Sequence, residues 1–505
     1  MTNYSQKTII KNTVMLYLRM IVIMLVTLYT SRVVLNTLGV IDYGIYNLVG
    51  SVVISLTFAQ NALMSSTQRF LSFELGKNDT TGVNKVFNTS LSVLFILAAI
   101  VVLLLETFGL WFLNNILTYP GERSSAANVA YQFCIITFVL NFLRIPYNAI
   151  IIAYEKMSIF AFFSVLEAFF KLGIIFLLLY LSYDKLVLYS FLFAVITLVI
   201  NLCYVFYCRL TLKEACLLTF KRDRSLTKEI TAFSGWTLLG GITGMAANEG
   251  PGFFMNHFIG VHLNAAMGIA KQVGNAVYSF SSSFQTAFNP QIVKLYSGDE
   301  KRELYSLVFR TSKLSFALVW LISLPIILCS KTLFALWLIE IPDYSIIFSI
   351  MLILVQVVSS LGSPLWMLAH AIGNISRYQI VISVLNISIL PISWIVFILR
   401  YEPFWILAIL VFLHITILVF RIDYLKKRIK FPSIDFYKKV IVKCLAVVII
   451  SFIPPIVIKL FVFTIWGDFV VAIIALITVI AVFYYIGLNE SERQIMIKWV
   501  KNRIN

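Results

Sequence analysis

Basic side chains interrupt several long apolar stretches of this sequence. The chemistry of these side chains is the sequence's most informative indication of function. Arg19, Arg144 and Lys271 each lie inside such a stretch, and no acidic residue stands three or four positions from Arg19 or Lys271. A charge at bilayer depth is costly, so it is expected to face a partner, water or a ligand. Guanidinium and ammonium groups form charge-assisted hydrogen bonds with phosphate, so these residues indicate binding of an anionic group.

Polar side chains accompany these cations at intervals of three or four residues, which places them on shared helix faces. Asn141 and Asn148 share a face with Arg144 in this way. We therefore predict a cavity lined by cations, amides and hydroxyls, which suits an anionic, sugar-like substrate. The predicted substrate-binding residues are Arg19, Lys271, Arg144, Asn264, Asn275, Tyr278 and Asn47.

One acidic residue within an apolar stretch has an obvious partner. Glu167 lies four residues before Lys171, so we predict that these two form a structural ion pair. Arg144 also has a structural alternative, in which it bonds backbone carbonyl groups freed by Pro146.

A second acidic residue lies beside a proline that should kink or break its helix. Asn248 and Glu249 come just before Pro251. They are the candidates for a coupling proton or cation. The alternatives are that Glu249 pairs with a basic residue across the cavity or lies close to the outer surface.

The sequence contains no signature of a catalytic or metal site. The four histidines are dispersed, the six cysteines lack metal-ligand spacing, and no phosphate-binding loop, nucleophile motif or paired-carboxylate motif is present. We predict neither an enzyme nor a cofactor, and any driving force for transport would be an ion gradient, the membrane potential or the substrate gradient.

The elements that position these residues are membrane-spanning helices. Of the 505 residues, 60% are hydrophobic and 12% are charged, against about 25% charged in soluble domains. Continuous apolar runs of 18 or more residues predict an all-α protein of about fourteen transmembrane helices. We expect them near 13–37, 44–67, 86–112, 126–152, 158–181, 186–208, 230–257, 262–288, 307–338, 345–370, 376–398, 404–424, 440–462 and 466–487.

Basic residues concentrate in alternate connections between these helices. The connections that follow helices six, eight and twelve are rich in Lys and Arg, whereas the intervening ones are short and poor in them. By the positive-inside rule both termini lie in the cytoplasm. The net charge of +17 is explained in the same way, so we expect no nucleic-acid partner.

The chain repeats itself weakly at an offset of about 220 residues. Ile145-Pro146 corresponds to Ser363-Pro364, and Thr107–Trp111 corresponds to Thr332–Trp337, in the same order. Six helices separate the copies, which predicts two parallel six-helix lobes. We place the lobes at 1–228 and 229–424, and helices thirteen and fourteen with a cytoplasmic tail at 425–505.

Several segments of the chain form a recognisable series of motifs. The most specific stretch is Leu38-Gly39-Val40-Ile41-Asp42-Tyr43-Gly44-Ile45-Tyr46, and Thr67-Gln68-Arg69-Phe70 and Arg144-Ile145-Pro146-Tyr147-Asn148 follow it. These segments resemble polysaccharide flippases of the multidrug/oligosaccharidyl-lipid/polysaccharide exporter superfamily, and the resemblance extends to about residue 425.

The resemblance implies a fold and a function. Such proteins have a V-shaped exporter fold and move polyprenyl-diphosphate-linked oligosaccharide repeat units to the outer leaflet of the bacterial inner membrane, for O-antigen, capsule or exopolysaccharide. By helix and depth, Arg19 and Lys271 match cavity cations of related flippases. The implied partners are the lipid-linked oligosaccharide, membrane lipids, H⁺ or Na⁺, and glycan polymerase machinery.

Two other functions remain open from the sequence. A cation-coupled multidrug exporter of the same superfamily would depend on acidic residues, of which Glu249 is the main candidate. A polytopic glycan polymerase or ligase would need sizeable outer loops, and the predicted outer loops are short.

Overall fold

The computed structural model describes residues 3–54, 57–115, 121–180, 183–218, 223–259, 261–338, 341–461, 464–490 and 492–494. Within these residues the regular structure is entirely helical, which confirms the predicted all-α class. Ten helical segments in the described part of the chain are long and apolar enough to span a membrane, and the prediction of about fourteen crossings is compatible with this number.

The helices follow one another with short connections. In chain order they are α1 (Asn3–Ile54), α2 (Thr57–Gly76), α3 (Thr80–Leu104), α4 (Leu110–Asn115), α5 (Ser124–Leu143), α6 (Ile145–Ala153), α7 (Met157–Tyr180), α8 (Lys185–Thr211), α9 (Arg224–Phe258), α10 (Val261–Ser297), α11 (Lys301–Leu328), α12 (Ser330–Trp337), α13 (Ser345–Ala371), α14 (Ser376–Ile398), α15 (Phe404–Ile429), α16 (Ser433–Phe436), α17 (Val442–Lys459) and α18 (Ile465–Val482).

One predicted interruption is absent, which corrects a sequence-based boundary. The expected connection between residues 37 and 44 lies inside α1, which is continuous. The stretch from residue 37 to 44 contains two glycines, Gly39 and Gly44, and a glycine costs a helix only about 1 kcal/mol. The sequence predicts a kink or a break at Pro251, and there is no break, since Pro251 lies inside α9 as it does inside the predicted helix 230–257. Neighbouring groups in a membrane protein can satisfy the backbone that a proline frees.

The chain divides into two compact units. The first comprises Met1–Ile242 together with Val293–Asp299 and Gly373–Ser376. In it α1 packs against α7, α2 against α6, and α5 against α8. Its core contains Phe87 and Tyr204, which are almost fully buried.

The second unit comprises Thr243–Ile292, Glu300–Ile372 and Arg377–Asn505. In it α13 packs between α11 and α15, while α17 and α18 pack together and against α11. The lobe division at 228/229 and 424/425 stays a prediction.

Candidate functional site

The first unit contains a cluster of charged side chains that we call the first-unit cluster: Arg19, Arg144, Glu167 and Lys171. Glu167 of α7 receives a bond from Arg144 Nη1 at 2.8 Å and contacts Lys171 Nζ at 2.7 Å. The carboxyl side chain is 14% exposed. The sequence places Glu167 beside Lys171, and the structure adds Arg144 as a second cation on the same carboxylate.

The helix break at Pro146 positions Arg144. Proline has no N–H, and α5 ends at Leu143 while α6 begins at Ile145, so Arg144 occupies the junction. The Arg144 N–H donates to the Leu140 carbonyl, and the Arg144 carbonyl accepts from the Asn148 N–H. The guanidinium is therefore directed to Glu167 rather than to the carbonyl groups near the proline.

Arg19 lies within electrostatic range of this carboxylate without bonding to it. Its guanidinium stacks over the Phe160 ring at 4.5 Å, and it interacts electrostatically with Glu167 and Arg144. Among the described residues Arg19 forms no ion pair. The cluster thus contains three cations and one carboxylate, which leaves it with two positive charges in excess.

Several polar atoms around the cluster are buried without a hydrogen-bond partner in the described part of the chain. They are Arg19 Nε, Asn141 Oδ1, Arg144 Nε and Asn148 Oδ1. A buried polar group without a partner costs about 1–3 kcal/mol, so such groups are normally satisfied by water or a ligand. The predicted face of Asn141, Arg144 and Asn148 is thus available to bind polar groups.

In the second unit, two residues that the sequence interpreted separately lie together. Lys271 Nζ of α10 is 2.6 Å from Glu249 Oε2 of α9. The two side chains are 26% and 52% exposed, respectively. This geometry matches the alternative in which Glu249 pairs with a basic residue.

A cavity with mixed polar and apolar walls, which we call the second-unit cavity, lies among α9, α10, α13, α14 and α15. Its volume is about 280 Å³. The predicted residues Asn248 and Tyr278 line it, whereas Glu249, Lys271 and Asn275 do not. The lining residues are Gly244, Ala247, Asn248, Tyr278, Gln285, Val358, Ser359, Gly362, Ser363, Trp366, Ile382, Asn386, His414, Ile417, Leu418 and Arg421.

Sequence reasoning missed the principal cation of this cavity, Arg421. The signal was present, because Arg421 lies inside the apolar stretch of α15 with no acidic residue three or four positions away. It was overlooked because the basic run of Lys426, Lys427 and Arg428 follows closely and suggests a helix end at the membrane surface.

The remaining predicted residues have less defined surroundings. Asn275 is exposed on α10, and its carbonyl accepts from Ser279 Oγ at 2.8 Å. The side chains of Asn47 and Asn264 lie outside the described residues. Among the described residues, no group of three or more His, Cys, Asp and Glu side chains could hold a metal ion.

The fold is shared with solved membrane transporters. An outward-facing multidrug resistance MATE family transporter of the MOP superfamily matches with a TM-score of 0.72 and 16% identity, covering 84% of this chain and 96% of that chain. The chain has the MATE fold. A MATE protein in a bent conformation matches this fold with a TM-score of 0.69 and 15% identity, covering 84% and 96% of the two chains.

Another protein with the MATE fold is a MOP superfamily transporter from Pyrococcus furiosus, whose binding pocket has reverse polarity that suggests a different function. It matches with a TM-score of 0.70 and 16% identity, covering 84% of this chain and 96% of that chain. No family model and no curated protein matches the chain. The MATE fold and the apolar helices make this a multi-pass membrane protein.

Proposed function

We propose that this chain is an alternating-access transporter that moves polyprenyl-diphosphate-linked oligosaccharide repeat units from the cytoplasmic to the outer leaflet of a bacterial inner membrane. Both termini would lie in the cytoplasm. The fold supports a transporter, and the sequence resemblance to polysaccharide flippases supports the substrate class.

The observation that carries the substrate class is the excess positive charge of the first-unit cluster. Two cations share Glu167, and Arg19 has no carboxylate of its own among the described residues. Uncompensated cations within membrane helices are costly, so they favour an anionic occupant. A diphosphate supplies that charge, and its oxygens accept the charge-assisted hydrogen bonds that guanidinium groups donate.

The residues of the cluster have distinct parts in this proposal. Glu167 holds the side chains of Arg144 and Lys171 in place through short ion pairs. Because these side chains are already ordered, substrate binding does not carry the entropic cost of ordering them. Arg19 supplies the charge that meets the diphosphate, and the amides of Asn141 and Asn148 meet sugar hydroxyl groups. The polyprenyl tail remains in the bilayer while the head group crosses.

A cation-coupled multidrug exporter is the second candidate, because solved proteins that share the fold include a multidrug resistance transporter. In such an exporter Glu249 would bind the coupling ion. The ion pair between Glu249 and Lys271 would then have to open whenever that ion binds.

Complementation of a deletion strain distinguishes these functions. We expect Arg19→Gln to trap lipid-linked oligosaccharide in the inner leaflet, with unchanged synthesis, as measured by the accessibility of the glycan at the outer leaflet. The control is Lys427→Gln, which removes one positive charge from an exposed site. Normal export in a strain carrying both Arg19→Ala and Lys271→Ala would contradict the assignment of these two cations to substrate binding.

Drug accumulation in the same strains tests the second candidate. A multidrug exporter would lower drug accumulation in cells that express the wild-type protein, and Glu249→Gln would change the dependence of that export on pH or Na⁺. Export that keeps the same dependence in Glu249→Gln would remove the coupling role of Glu249.

A further inference from the structure

The side chain of Arg421 is only partly used by hydrogen bonds within the protein. Its Nε donates to the Tyr378 hydroxyl at 3.0 Å, and its Nη1 donates to the Gly362 carbonyl at 3.2 Å. A guanidinium carries five N–H donors, so three remain. Since Arg421 lines the second-unit cavity, these donors are available to an occupant of the cavity.

The positive charge of Arg421 has no counter-charge in the described part of the chain. None of the described residues that line the cavity is acidic, and Arg421 forms no ion pair with a described residue. The nearest acid along α15, Asp423, is paired with Lys427 at 2.7 Å. An unpaired charge within a membrane-spanning helix is costly, so the cavity is suited to an anion.

The other walls of the cavity supply neutral polar groups. Asn386, Trp366 and Ser359 bring an amide, an indole N–H and a hydroxyl from α13 and α14. His414 Nδ1 lies 2.9 Å from the Leu410 carbonyl, which can only accept, so the bond places the proton of a neutral ring on Nδ1 and makes Nε2 an acceptor, which can bind only a protonated oxygen of the anion. The amide, the indole N–H and the hydroxyl can donate to the remaining oxygens of a polyatomic anion.

We propose that the second-unit cavity is an oxyanion-binding site in which Arg421 holds a phosphoryl group. A planar guanidinium matches the geometry of two oxygens of a phosphate, and hydroxyl and amide groups complete its shell. The cavity of about 280 Å³ is at the small end of ligand sites, which suits a phosphate or diphosphate rather than a whole oligosaccharide. The phosphoryl group could belong to a lipid head group or to a free phosphate.

Binding measurements on the purified full chain in zwitterionic nanodiscs test this site. Inorganic pyrophosphate is titrated by calorimetry, and a polyprenyl diphosphate is added in a separate series. We expect Arg421→Gln to weaken pyrophosphate binding at one site about tenfold or more, because it removes a charge-assisted contact. If Arg421→Gln weakens the binding of both probes, the site binds any phosphoryl group. If it weakens the binding of the lipid alone, the site binds a lipid head group.

Two controls separate this site from general effects and from the first-unit cluster. Lys427→Gln removes the same charge from an exposed position of the same helix and should bind both probes normally. Arg19→Gln reports on the proposed substrate site. If the flippase proposal fails, Arg19→Gln has no effect on binding, whereas Arg421→Gln still weakens it.

A third variant keeps the test decisive if Arg421→Gln does not fold. Asn386→Leu removes one polar wall and leaves the bonds of Arg421 to Tyr378 and Gly362 intact, and we expect about fivefold weaker binding. The proposal is overturned if the wild-type protein binds neither probe saturably. It is also overturned if the folded Arg421→Gln protein, or Asn386→Leu in its place, binds both probes as tightly as Lys427→Gln.

Discussion

At the scale of single residues, Glu167 determines whether the two cations beside it are tolerated. Its carboxylate contacts Arg144 at 2.8 Å and Lys171 at 2.7 Å, and the three side chains are only partly exposed, by 14% to 27%. Removing one partner of a buried ion pair leaves the remaining charge uncompensated, which costs more than the pair contributes when intact. The stability of the first unit should therefore depend on this carboxylate.

We predict that Glu167→Gln lowers the stability of the folded protein by about 3 kcal/mol or more, because two cations lose their counter-charge. The measurement is the denaturation midpoint of the purified protein in detergent. Glu122→Gln is the matched control, since Glu122 is an exposed residue of the same unit. Equal midpoints for the two variants would contradict the stabilising role that we assign to the Glu167 carboxylate.

A pH dependence is expected at Arg123, outside the membrane-spanning segments. Arg123 bonds Asp42 at 2.9 Å through Nε and Asp184 at 2.5 Å through Nη1. The hydrogen bond to Asp184 raises the pKa of Arg123. Burial acts to raise the pKa of Asp184, but bonds from Arg123 and the Val187 N–H hold that pKa below its ordinary value.

Because the folded-state pKa of Asp184 is lowered, its contribution to stability is present above about pH 4 and is lost as the pH falls through the folded-state pKa. The raised pKa of Arg123 keeps the guanidinium charged throughout this range. Arg123→Gln should therefore lower stability by roughly 1 kcal/mol at pH 7 and by less at pH 3.5. Denaturation midpoints at both pH values test this, and a pH-independent difference would contradict it.

At the scale of helices, a buried ion pair between Lys313 and Glu492 connects α11 with the residues that follow α18. Lys313 of α11 is 1% exposed and lies 2.6 Å from Glu492 Oε2. Lys313 also donates to the Gly487 carbonyl at 3.3 Å, at the end of the helical segment that continues α18. The sequence indicated α17 and α18 as apolar helices, but no local pattern connects Lys313 with a residue 179 positions later.

We predict that Glu492→Gln loosens α18 from α11, because Lys313 is left buried without a counter-charge at a cost of about 3–5 kcal/mol. Hydrogen–deuterium exchange should rise across α17 and α18 while α13 and α15 stay protected. Glu490→Gln, which alters an exposed acid two residues away, serves for comparison. Unchanged exchange in α18 would show that apolar packing alone holds the helix.

At the scale of the whole molecule, the charge of the connections predicts the orientation of the chain. The connection after α8 is basic, and the connection before α8 contains the exposed Tyr183. The positive-inside rule then places Tyr183 outside and Ser225 in the cytoplasm. The fold does not decide this orientation, since it is the same whichever side faces out.

We predict that Tyr183→Cys reacts with a membrane-impermeant maleimide on intact spheroplasts, whereas Ser225→Cys reacts only after permeabilisation. Both residues are exposed in the structure, so access to each is limited by the membrane alone. The six native cysteines are replaced by serine first, so that the new thiol is the only one. The opposite labelling pattern would invert the topology and with it the proposed direction of transport.

The sequence by itself determined the membrane setting, the helical class and the positions of Arg19, Arg144, Glu167, Lys171 and Lys271. These properties are local, because hydrophobicity over about twenty residues and spacing along one helix are sufficient to establish them. Helix continuity was less well determined at residues 37–44 and at Pro251, since glycine and proline weaken a helix without always ending it.

Only the tertiary structure decided which charges meet. Arg144 shares the carboxylate of a residue 23 positions away, and Glu249 lies beside Lys271 on the next helix. Arg421 lines a cavity built from five helices. Distances across helices depend on how the helices pack, which spacing along the chain does not encode. For this reason the sequence could identify the cations, whereas only the fold distinguishes those that are neutralised from those that have no counter-charge among the described residues.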